Sequence, residues 1–168
     1  MAALLAAGTF LLPAGCQSSS TPATPPARPT AFTVAQLHLK LRVPAELADL
    51  TYAMGTSGEG KPAANFSTKT LTGAGGPACA AGAKNSVSPF PIGQIVLSPE
   101  TPEHVAEEAK DNPEELLGDF VKQLGSSYLY YVAPPAESCT PKVKKVADLQ
   151  RRATRALRAA LQSAEVAG

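Results

Sequence analysis

The sequence predicts an α+β fold, an antiparallel sheet of about five or six strands packed against a long C-terminal helix, with a short acidic helix inserted before the last hairpin. Three observations carry it. In AQLHLKLRV, Leu37, Leu39, Leu41 and Val43 alternate with Gln36, His38, Lys40 and Arg42, the period of two of a strand with one buried face. DFVKQL and SYLYYV flank Gly125 and Ser126, a two-residue connection suited to a type II′ hairpin turn. After Pro141 the apolar residues Val143, Val146, Ala147, Ala153, Leu157, Ala160, Leu161 and Ala164 fall near helical spacing. Strands first, with helices late, argue antiparallel pairing and segregated helices.

Taken in order, structure is expected to begin at Phe32, and Pro44 ends the first strand. AELADLTYAMG holds a helical turn and then a second strand near Leu50 to Met54, followed by the loop GTSGEGKP. A third strand is expected over Ala64 to Leu71, then the irregular loop GAGGPACAAGAKNS and a short apolar strand in IGQIVL. SPETPEHVAEEAKDNPEELL reads as the acidic helix, capped by Ser98 or Thr101, with a second turn after Pro113. The terminal helix is expected from Pro141 to Ala164, with Thr140 as N-cap and Pro141 at the first position, where a missing N–H costs nothing.

The chain has 168 residues, the size of one domain. A net charge of +1, with 44% hydrophobic and 17% charged residues, gives no global attraction to nucleic acid or membrane. The sequence is expected to divide into a signal peptide over 1–15, a Ser/Thr/Pro-rich tether over 16–31 that begins with Cys16, and a single α+β domain over 32–165.

That division rests on the N-terminus. MAALLAAGTFLL is uncharged, too short to span a membrane and right for the apolar region of a signal peptide. QSSSTPATPPARPT has four prolines and no large apolar residue, so it is read as an extended tether able to hold a domain up to roughly 40 Å from its anchor. With Cys16 set aside, Cys79 and Cys139 remain as an even pair. In an oxidising compartment they are expected to form a disulfide, the alternative being two buried thiols. Neither has a second Cys or His at zinc-ligand spacing, and no metal or cofactor is expected.

Motifs for chemistry are few. GTSGEGK at Gly55 to Lys61 begins like a phosphate-binding loop, but Pro62 replaces the Ser or Thr that holds magnesium, and no helix is expected to open there. His104, Glu107 and Glu108 share a helix face but need a third ligand, such as His38, to hold a metal; a solvated acidic helix accounts for them. Asn65-Phe66-Ser67 matches a glycosylation sequon, read as chance. No nucleophile elbow and no Cys/His pair is found, so no catalytic residues are assigned. An enzyme would require distant groups to converge, for example His38 with Glu107 or Asp119.

Charge distribution says more than net charge. Between Glu100 and Asp119 lie Glu103, Glu107, Glu108, Asp111, Glu114 and Glu115, against the single lysine Lys110 and no arginine. Between Lys142 and Arg158 lie Lys144, Lys145, Arg151, Arg152 and Arg155, with Asp148 the only acid. Lys142, Lys144 and Lys145 fall in the first turn of the expected helix, where the macrodipole disfavours cations. Those lysines and Arg152 are therefore candidates for a surface that meets an anionic partner. Tyr128, Tyr130 and Tyr131 are the other candidates: in a strand, Tyr128 and Tyr130 share one face and Leu129 and Tyr131 the other.

Ala14-Gly15-Cys16, after an apolar run, resembles the bacterial lipobox, although Pro13 stands where Leu is usual and no Lys or Arg precedes the run. The resemblance implies acylation of Cys16, cleavage before it, and attachment to a bilayer. FSTKTL, KQLGSSYLYYVAP with the following Cys139, and the terminal helix together are similar to small envelope lipoproteins of bacteria. In outline the sheet and helix also resemble the PsbP/Mog1-type sandwich, a likeness of fold that carries no function. The expected protein is a lipid-anchored module on the extracytoplasmic face of the cell membrane, non-catalytic, acting in binding or as an accessory. Its expected partners are the bilayer and an anionic envelope polymer or another envelope protein, with no nucleic acid. The alternative is a carrier of a small hydrophobic or glycan ligand in a cavity between sheet and helix.

Overall fold

The computed structural model describes residues 28–84, 88–111, 117–135, 139 and 143–168. Signal peptide, Cys16 and most of the tether, as well as Thr140, Pro141, Lys142 and the turn after Pro113, lie outside the described residues. The fold is α+β, with two antiparallel sheets and three α-helices among the described residues. Eight strands form two sheets rather than one: β1 (Thr30–Val34), β2 (Leu39–Val43) and β8 (Glu165–Val166) in the order β1-β2-β8, and β3 (Leu50–Thr56), β4 (Pro62–Thr68), β5 (Gly93–Ser98), β6 (Asp119–Leu124) and β7 (Ser127–Val132) in the order β3-β4-β5-β7-β6.

The split has a local cause. Leu37 closes a single 3₁₀ turn, Ala35–Leu37, and His38 takes a left-handed conformation with φ 48°, which ends the expected alternation one step before Leu39 and folds β1 back on β2. A second 3₁₀ turn at Ala45–Leu47, after Pro44, carries the chain to a new sheet. Leu39, Leu41 and Val43 still point inward, and Lys40 and Arg42 outward. Since β1 starts at Thr30, the last two residues of the expected tether belong to the fold.

Helix α1 (Lys69–Gly75) replaces the end of the expected third strand. Thr68 caps it by accepting from the Leu71 N–H at 3.0 Å, and the Asp49 carboxylate accepts from both the N–H and hydroxyl of Thr70 at 2.6 Å. Helix α2 (Pro102–Asp111) is capped by Thr101, which accepts from His104 N–H. Helix α3 (Lys144–Ala160) starts at Val143, which caps it without a side-chain bond, and gives way to a 3₁₀ turn at Leu161–Ser163 before β8. Its buried positions, Val146, Gln150, Ala153, Leu157 and Ala160, step by three and four residues and form one stripe.

The five-stranded sheet is covered on both faces. Ala64, Phe66, Ile95, Leu129 and Tyr131 join the α3 stripe, α1 and the small sheet in the main core. Ala63, Val96 and Tyr130 point the other way, onto Val105 of α2. Helices α2 and α3 therefore flank opposite faces of one sheet. The β6–β7 hairpin turns on Gly125, whose φ of 63° is positive while that of Ser126 is not, as a type II′ turn requires.

Candidate functional site

Cys79 and Cys139 form a disulfide, with Cα atoms 4.8 Å apart and a sequence separation of 60. Both are buried in the main core. The Cys79 carbonyl accepts from the hydroxyls of Ser67 and Thr72, so the loop is held by bonds to β4 and α1 as well as by the bridge.

The tyrosines divide by face as the alternation predicts, but two of the three are core. Tyr130 and Tyr131 are each 1% exposed, and their hydroxyls donate to the carbonyls of Glu100 at 2.7 Å and Ile92 at 2.9 Å. Sheet and helices bury both faces of β7, which removes these two from any ligand surface. Tyr128 is half-buried beside Phe120, which is itself exposed. Asn65 is buried too, accepting from Gln94 at 2.7 Å, so its sequon lies inside the fold.

His38, Glu107 and Asp119 are not brought together. His38 is exposed in the turn before β2, Asp119 pairs with Arg158 at 2.6 Å, and Glu107 pairs with Lys110. His104 pairs with Glu108 on the exposed side of α2, and among the described residues no three His, Cys, Asp or Glu side chains are grouped to hold a metal. Lys61 bridges Glu59 and Glu100 at 2.6 Å beside an acidic cleft of about 310 Å³. Burial by itself lowers the Lys61 pKa, but Glu100 and Glu59 outweigh it and hold the ammonium above its ordinary value. The loop that resembled a phosphate-binding motif thus has its lysine engaged by two carboxylates.

The basic residues sort by whether they are paired. Along α3, Lys144 and Arg151 share Asp148, and Arg158 holds Asp119 while lying over the Tyr131 ring. Asp148, one turn into the helix, offsets the unfavourable position of Lys144. Lys145, Arg152 and Arg155 make no ion pair among the described residues. Arg152 and Arg155 line an open groove of about 510 Å³ between α3 and β2, and Arg42 joins them from β2. Apolar lining comes from Pro29, Pro44, Ala156 and Ala160, and Glu46 is the one acid. Lys145 lies two helical turns before Arg152 on the same face.

Of the candidate surface residues, then, the structure places Arg152 in a groove and leaves Lys144 and Lys145 exposed at the start of the same helix. Arg42 and Arg155 were not singled out from sequence. Arg42 is an outward residue of a half-buried strand, and only tertiary packing places it beside α3. No helix among the described residues is long and apolar enough to cross a membrane. No protein family, curated protein or solved structure matches the chain, and no comparison indicates an enzymatic activity.

Proposed function

We propose that the protein is a lipid-anchored, extracytoplasmic binding or accessory domain of a bacterial cell envelope, tied to the membrane through acylated Cys16 and without catalytic activity. The observation that carries this reading is the buried Cys79–Cys139 disulfide. Such bridges persist where the compartment is oxidising, which agrees with export directed by the signal-like segment before Cys16. The basic face of α3 is the domain's contact surface for an anionic envelope partner. Radiolabelled palmitate fed to producing cells is expected to enter the protein, and Cys16→Ser to abolish the label. Absence of label in the unmodified chain, or label retained by Cys16→Ser, overturns the reading.

A carrier role is the second reading, favoured by the groove between α3 and β2. Sheet and helix are otherwise packed through Ile95, Leu129, Tyr131, Val146 and Leu157. The groove is open and arginine-lined, so a ligand held there carries negative charge. Native mass spectrometry of protein from envelope extracts tests it: a co-purifying small anion supports it, and an unliganded chain removes it.

A further inference from the structure

We infer that the groove between β2 and α3 binds the phosphate-bearing headgroup of an anionic phospholipid, so that the domain lies with its α3 face on the bilayer to which it is anchored. The inference rests on the membrane-anchor reading and names the ligand of that domain's basic face.

Arg42, Arg152 and Arg155 line one groove from two elements and make no ion pair among the described residues, while Lys144, Arg151 and Arg158 are paired. Planar guanidinium forks match phosphate oxygens, and their weak hydration lowers the cost of contact. The rest of the lining is apolar, from Pro29, Pro44, Ala156, Ala159 and Ala160, with Glu46 the one acid. A headgroup with its glycerol backbone meets both the cationic and the apolar parts of such a lining; a hydrated polyanion uses the cationic part alone.

Chain direction and charge place the same face toward the membrane. Pro29, where the Pro-rich segment enters the fold, is itself part of the groove wall. The chain therefore enters the fold beside the groove. The acidic residues Glu103, Glu107, Glu108 and Asp111 lie on α2, across the five-stranded sheet from α3. An anionic leaflet attracts one face and repels the other, which orients a domain of net charge +1. Tethering makes a weak headgroup site sufficient, because the leaflet is held at high effective concentration.

The test uses the full, oxidised chain carrying Cys16→Ser, which cannot be acylated, with vesicles of phosphatidylcholine alone or mixed with phosphatidylglycerol. The N-terminal segment is common to the parent and every variant, so the difference between the parent and the arginine variants reports the groove. Tighter binding to the mixed vesicles is expected, weakened by salt. The triple variant R42Q/R152Q/R155Q is expected to lose about a hundredfold of it, at roughly fivefold per arginine, and Arg155→Glu alone to lose more than fivefold. E103Q/E107Q/E108Q on α2 is expected to lose none. Equal binding to both vesicles, retention by the arginine variants when circular dichroism shows them folded, or capture of free glycerol phosphate or a glycerol phosphate polymer in place of vesicles overturns the inference. Palmitate labelling of the unmodified chain is read separately, so loss of label with vesicle binding intact removes the anchor alone.

Discussion

The Lys122 ammonium donates to the carbonyl of Ala164 at 2.9 Å, and it reaches Gln162 at 3.2 Å. A β-bulge makes this possible. Phe120 pairs with Tyr130, but the next pair is Lys122 with Leu129, so Val121 is the extra residue. Without it, Lys122 would oppose Tyr128 on the α2 face. The bulge turns its side chain to the α3 face instead, where the carbonyls that follow the helix lack helical partners. A cation there also complements the negative end of the helix dipole.

Lys122→Met is therefore expected to lower stability by about 1 kcal/mol, the worth of a partly exposed charge-assisted bond, with Lys122→Arg retaining part of it. Urea denaturation followed by circular dichroism reads the change as a lower midpoint at constant slope. An unchanged midpoint for Lys122→Met would show that water serves those carbonyls equally well.

Elements whose signals are local were legible in the sequence: the hairpin at Gly125, a cap of α2 at Ser98 or Thr101, which the structure places at Thr101, and the α3 stripe, although Val143 is exposed and Gln150 takes a buried place in it. The Cys79–Cys139 pair followed from counting. Features set by distant partners were not. Helix α1 depends on Asp49 accepting from Thr70, and FSTKTL by itself reads as a continuing strand. His38 broke the alternation through a backbone conformation that non-glycine residues seldom adopt. The groove escaped for the same reason. Arg42 and Arg155 are separated by the whole domain in sequence, and nothing in either neighbourhood marks them as partners.

Gly93 and Tyr131 support a second prediction. Gly93 has φ 136°, and a Cβ placed there would overlap the Tyr131 ring, with the hydroxyl oxygen 2.7 Å away. Gly93→Ala is expected to cost roughly 3 kcal/mol or more, combining backbone strain with overpacking of a filled core. Pairing it with Tyr131→Leu, which removes the ring, should cost less than the two changes summed. A double-mutant cycle in urea measures the coupling, and strict additivity would show that the clash is relieved some other way.

The disulfide supplies a third. Closing a loop across a 60-residue separation stabilises by about 4 kcal/mol on the chain-entropy model. Reduction, or Cys79→Ala with Cys139→Ala, is expected to lower the denaturation midpoint accordingly while leaving the hairpin and α2 hydrogen bonds intact. Hydrogen exchange resolved by segment distinguishes the two levels: general loss of protection is expected, steepest around α1 and the start of α3. Equal stability of the oxidised and reduced chains refutes it.

The buried phenols set a pH limit at the alkaline end. Burial pushes Tyr130 and Tyr131 up to about 12; Glu100 adds to the shift at Tyr130, while at Tyr131 Arg158 opposes it and Asp119 adds to it. The physical reason is direct at Tyr131, because a phenolate cannot donate to the Ile92 carbonyl that its hydroxyl now serves. Below the ordinary tyrosine value near 10, folded and unfolded chains both hold these protons, so the full stability is present. As pH rises from there toward about 12, the unfolded chain releases protons that the folded one keeps, and stability falls. Lys61, also raised in the fold, acts in the same direction. Tyr131→Phe isolates the phenol: it is expected to be less stable than the parent at neutral pH, and to lose less on going alkaline, so that the two stability curves converge. Denaturation midpoints measured across this range, with phenolate absorbance recorded alongside, decide it. Parallel curves would mean that Tyr131 titrates alike in both states.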